Sequence, residues 1–182
     1  MKKVLLTAII FTLMSSALSA ESVTLEPTRA AVITRPEDTR DMRILVYFVL
    51  PENLSRKNME IEYAMMSFEA QVTDAYMGQI EVYPVTTSWK DEGAVSWAGL
   101  WEKDGGDYSM ERAGTSVTAK SEEGEKKLRS NVTNIVKSWL HGLVDNNGLI
   151  IVLSDADLEI STVKYQLDRE SITLKIQCTD NL

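Results

Sequence analysis

Three of the four tryptophans in this sequence stand close together in VYPVTTSWKDEGAVSWAGLW, residues 82–101. An indole offers a large apolar face and one N–H that wants an acceptor. Such a run can fill a core or grip a flat ligand. Trp101 stands four residues past Trp97, at the edge of a polar stretch, beside Asp104, Asp107 and Tyr108. A flat ring flanked by hydrogen-bonding groups suits stacking on a sugar ring. Trp101, Tyr108, Asp104 and Asp107 are therefore the candidate ligand-binding residues. The competing role for Trp101 is a loop anchor folded back on the core, because tryptophan is usually highly buried.

Carboxylates are plentiful, with 27 Asp and Glu in all. The tightest groups are Asp91-Glu92, Asp104 with Asp107, and Asp155 with Asp157. Glycoside hydrolysis needs two carboxyls facing across a cleft, one with a raised pKa. Nothing in the spacing separates these pairs from solvated turn acids. Calcium takes six to eight oxygens, and no single loop here supplies that many. Asp155 and Asp157 are the candidates for a structural calcium, and no other cofactor is expected. The single histidine, His141, falls at the end of a predicted helix, where the helix dipole favours a cation. No G-x-S-x-G elbow accompanies it, and there is no phosphate loop, zinc spacing or EF-hand pattern. The expectation is a protein that is not an enzyme.

The N-terminus carries its own signal. MKKVLLTAIIFTLMSSALSA has two lysines, an apolar run and small residues ending at Ala20. That is the layout of a secretory signal peptide cleaved near Ala20, with residues 21–182 as one domain. The apolar run is too short to cross a bilayer, so the mature chain is expected to have no transmembrane segment and to be secreted or periplasmic. Removing 20 of the 182 residues leaves 162, and loss of Lys2 and Lys3 takes the net charge from −8 to −10. An acidic surface repels nucleic acid, so none is expected as a partner. Cys178 is the only cysteine and allows no internal disulfide. It reads as a small buried hydrophobe.

The elements that must position these residues follow a period of two. In ITLKIQC, Ile172, Leu174, Ile176 and Cys178 share one face. In AMMSFEAQV, Ala64, Met66, Phe68, Ala70 and Val72 do the same. MRILVYFVLP is almost wholly apolar and predicts a central strand ended by Pro51. GQIEVYPV and GLIIVLS predict two more strands, TSVTAK a weaker one, and TLEPTRAAVI an N-terminal edge strand. One segment departs. In NVTNIVKSWLHG, Val132, Ile135, Val136, Trp139 and Leu140 form a helical stripe over about 132–141. Asn131 or Thr133 can cap its start, and Gly142 can end it. Trp139 on that stripe is a core residue. A short helix at 54–59 is a weaker reading. Residues 102–113 and 121–127 are polar and contain glycine, so they predict solvated loops. Many strands, short turns and a single clear helix predict an all-β antiparallel sandwich.

The order of these segments resembles the DNRLRE family, the disaggregatase-related domains of secreted proteins. RILVYFVLP (43–51), MEIEYAMMSFEAQV (59–72), IEVYPVTTSWKDEGAVSW (80–97) and NVTNIVKSWLHGLVDNNGLIIVL (131–153) carry the resemblance, with YQLDRESITLKI (165–176) as a looser match. It implies a jelly-roll-like sandwich in which Trp89, Trp97 and Trp139 are core positions. It also implies a carbohydrate-binding or surface-associated role, with a polysaccharide or cell-surface component as partner. Trp101 lies outside the family pattern. A structural or adhesion module with a protein partner is the alternative.

Overall fold

The computed structural model describes residues 20–38, 41–71, 79–90, 95–112, 115–120, 125–154 and 171–180. Residues 1–19 of the expected signal peptide, Asp91-Glu92 and the calcium candidates Asp155 and Asp157 lie outside these residues. Among the described residues, nine strands form two antiparallel sheets. They are β1 (Ala20–Leu25), β2 (Arg29–Thr34), β3 (Met42–Tyr47), β4 (Met59–Gln71), β5 (Gln79–Pro84), β6 (Thr115–Lys120), β7 (Glu125–Asn131), β8 (Leu149–Ser154) and β9 (Thr173–Asp180). The helix α1 spans Thr133–Leu140. One sheet has the order β1-β9-β4-β7-β6, and the other β2-β3-β8-β5. Every pairing between these strands is antiparallel. The protein is an all-β antiparallel sandwich, with one α-helix among the described residues.

The alternation read from the sequence explains which face goes where. In β9, Leu174, Ile176 and Cys178 are fully buried while Lys175 is exposed. In β4, Ala64, Met66 and Phe68 meet them from the next strand. The inner faces of β3, β5 and β8 close this core from the opposite sheet, with Ile44, Val46, Val82, Leu149 and Ile151. The helix plugs the same core with Ile135, Val136 and Trp139. Burying one such side chain contributes about 1.5–3 kcal/mol, so this interior dominates stability.

Helix α1 has defined ends. The Asn131 carboxamide oxygen accepts from both the amide and the hydroxyl of Thr133 (3.0 and 2.6 Å). The Thr133 hydroxyl oxygen in turn accepts the Ala64 amide at 2.8 Å, tying the helix start to β4. At the other end Gly142 takes φ +64°. The Gly142 amide donates to the Trp139 carbonyl and the Leu143 amide to the Ser138 carbonyl, which is a Schellman close.

Four sequence expectations need correction. Residues 24–33 do not form one edge strand. They divide into β1 and β2, which lie in different sheets. Pro27 stands in the gap, where it cannot donate to a ladder and fixes its own φ. Residues 121–127 are not all loop, since Glu125, Lys126 and Lys127 open β7. Backbone pairing to β4 on one side and β6 on the other holds them extended despite their weak strand preference. The helix considered at 54–59 is a single 3-10 turn, Glu52–Ser55, and β4 begins at Met59. Within 102–113, a 3-10 turn forms at Met110–Arg112, and a bridge joins Tyr108 to Val85.

Candidate functional site

The outer face of the β2-β3-β8-β5 sheet is not left to solvent. Ala31, Ile33, Leu45, Tyr83, Ile150 and Val152 point outward and are nonetheless buried. The segment that follows β5 folds back across them as a roof, and Val85, Trp89 and Trp97 complete a second apolar cluster. This is why β3 and β8 are apolar at nearly every position. Strands covered on both faces lose the alternation that a half-solvated strand keeps.

Each tryptophan of the run has a defined place. Trp89 is 1% exposed, and its indole N–H donates to the Asn147 carbonyl at 2.8 Å. Trp97 is also buried, and the Gly105 amide donates to its carbonyl at 2.6 Å. Trp139 lies in the main core. Trp101 differs. It packs against the edge of the second cluster but stays partly exposed, and its N–H donates to the Ser96 carbonyl at 2.9 Å.

Three arginines clamp the roof to the sheet. The Arg29 guanidinium lies 4.0 Å from the Tyr47 ring centre and 5.1 Å from that of Trp89, and it donates to the Trp89 carbonyl. Arg35 and Arg43 lie over Trp97 at 4.9 and 4.6 Å, and Arg43 also faces Tyr108 at 5.5 Å. Arg43 donates to the Gly105 carbonyl at 2.6 Å. Asp41 balances two of these charges, at 3.2 Å from Arg35 and 3.8 Å from Arg43. A cation held over an indole face is worth about 0.5–2 kcal/mol, more where water is excluded.

The four candidate ligand-binding residues divide in two. Asp107 is buried. Its carboxylate accepts the Glu102 amide (2.9 Å), the Lys103 amide (2.9 Å) and the Thr87 hydroxyl (2.7 Å). Desolvation raises its pKa, but the Glu102 amide, the Thr87 hydroxyl, the Lys103 amide and the Lys103 charge outweigh that and hold it below the usual value. Tyr108 stacks on Tyr83 with ring centres 4.9 Å apart and planes 23° from parallel. Burial pushes the Tyr83 phenol up to about 12, and the hydrogen bond and charge of Glu81 add to it. Asp107 and Tyr108 thus face inward and build the loop. Asp104 is exposed and Trp101 half-buried against the second cluster, with Leu100, Glu102 and Lys103 exposed beside them.

His141 is exposed at the helix end, away from this roof, where its amide caps the Lys137 carbonyl. No cluster of three or more His, Cys, Asp or Glu side chains suited to a metal occurs among the described residues. No helix among them is long and apolar enough to cross a membrane. Sequence reasoning missed the arginine clamp. Its only trace is Arg29, Arg35 and Arg43 at odd positions, in step with outward-facing Ala31, Ile33 and Leu45. No family model matches the chain, and no curated protein matches its sequence.

Proposed function

We propose that the protein is a secreted, non-catalytic module that binds carbohydrate through the rim of the tryptophan roof. The supporting observation is the setting of Trp101. Its N–H is already used by Ser96 within the same loop, so the indole offers a ligand its apolar face and not a donor. The loop beneath it is fixed by Asp107, so little order is lost on binding. Asp104 and Lys103 stand exposed alongside and supply polar partners for hydroxyls. The DNRLRE resemblance in the sequence points the same way. Export rests on the leader, and the non-catalytic reading rests on the lack of any base paired with a nucleophile in the sequence.

The adhesion reading draws on a different observation. Leu100 and Met110, on the same excursion, are 49% and 69% exposed. Exposed apolar side chains on this excursion suit a protein partner as well.

Affinity electrophoresis of the protein against soluble neutral and acidic polysaccharides tests the proposal. Retardation on at least one glycan is expected, with binding weakened about tenfold in Trp101→Ala. Asp104→Ala should weaken it less, and both variants should keep the parent's far-UV circular dichroism. Retention that is the same in parent and Trp101→Ala would move the site elsewhere. Free migration on every glycan would leave the adhesion reading in its place.

A further inference from the structure

A second concave surface lies on different elements. It is an open groove of about 770 Å³ between the 3-10 turn, the start of β4 and the end of α1. Its rim carries Arg56, Lys57, Lys137 and His141, against one acid, Glu60. Leu54, Met59, Ile61 and Leu140 form the apolar floor. Local charge of this sign is unexpected in a chain of net charge −8. None of the three fixed cations forms an ion pair with another described residue.

The C-terminal end of α1 alone would oppose an anion, because its carbonyl dipoles point toward the groove, so the neighbouring cations must outweigh it. The Gly142 and Leu143 amides already satisfy the Trp139 and Ser138 carbonyls, and the His141 amide satisfies that of Lys137. The Lys137 side chain adds positive charge to the same turn.

We propose that this groove is an anion site, separate from the Trp101 rim, which takes a phosphate or sulfate group. Arginine supplies a planar fork suited to tetrahedral oxyanions, and lysine supplies a mobile point charge. The apolar residues lining the same groove favour an oxyanion carried on a body of sugar size over the free ion. The apolar floor then lies under that body. The proposal does not depend on glycan binding at the roof.

Amide chemical shifts followed by NMR test it, with glucose 6-phosphate, inorganic phosphate, sodium sulfate and neutral glucose as separate titrants. Glucose 6-phosphate should move the Arg56, Lys57 and His141 amides saturably, and affinity should fall as salt screens the charges. In the Arg56→Gln/Lys57→Gln variant, binding should weaken about tenfold. Both side chains are exposed, so the variant should fold as the parent does. Equal affinity for inorganic phosphate would support the site with the free ion as its occupant. Three results would overturn the proposal: no saturable shift with any anion, the same shifts with neutral glucose, or no change of affinity in the double variant.

Discussion

At the scale of the residue, Asp107 decides how the roof should be understood. Two carboxylate oxygens receive three donors, the Glu102 and Lys103 amides of the same loop and the Thr87 hydroxyl just after β5, and the side chain is buried. An acid so occupied has little left for a ligand, and its role is to set the path from Trp101 to Tyr108. Asp107→Asn keeps the shape but brings an NH₂ group against backbone amides. Hydrogen bonds to a charged group are worth roughly 1.5–3 kcal/mol each, so a loss of about 2 kcal/mol is expected in urea unfolding. The pH dependence has a definite sign. The folded-state pKa is depressed, so the carboxylate's contribution is present above the ordinary carboxyl pKa. It is lost as pH falls through the lower folded value. The parent should lose stability on acidification by more than the Asn variant does, measured as urea midpoints from neutral pH to about pH 3.

At the scale of the element, local periodicity reported the sheets well and the roof poorly. The alternation in 172–178 gave β9 and its buried face because each residue's burial there depends on one neighbouring layer. The apolar stripe of α1 was equally plain, as was the Gly142 close. β3 read correctly as a central strand and β8 as a strand, but the sequence does not say what covers their second face. That depends on Arg29 meeting Trp89, and Arg43 meeting Gly105, 60 and 62 residues further along the chain. The same limit applies to Asp104 and Asp107, which look alike in sequence. Only the folded loop turns one to solvent and the other to backbone amides.

Gly105 shows how tightly that roof is seated. It takes φ +85°, and a Cβ there would lie 2.6 Å from Arg43 Nη1 and 2.9 Å from the Trp97 ring. Gly142 also has positive φ but has open space around its Cβ position. Left-handed backbone costs a side-chain-bearing residue about 1–2 kcal/mol. Gly142→Ala should therefore lose about that much. Gly105→Ala should lose more, because Arg43 or Trp97 must also move. Near-UV circular dichroism should change only for Gly105→Ala, as the Trp97 environment loosens, while the far-UV spectrum stays that of the parent. Equal losses in the two variants would mean that the roof yields without cost.

At the scale of the whole molecule, the question is whether sandwich and roof unfold together. They share β3 and β8, whose alternate residues serve the two apolar clusters. Ile44, Val46, Leu149 and Ile151 enter the main core, and Leu45, Ile150 and Val152 enter the second. Neither cluster can open without exposing the back of the strands that the other needs, which argues for one cooperative transition. The chain carries its own reporters. Cys178 is fully buried in the main core, and burial, then the charges of Glu21, Glu62 and Asp180, push its thiol pKa up. A raised thiol pKa together with burial makes it inert in the folded state. Three of the four tryptophans report instead on the roof. In a urea series, the midpoint for Cys178 labelling by a thiol reagent under equilibrium conditions should coincide with the midpoint from tryptophan fluorescence. A fluorescence change that precedes labelling would show that the roof melts on its own. Trp101 would then stand on a support looser than the shared strands imply, and stacking on it would carry an ordering cost.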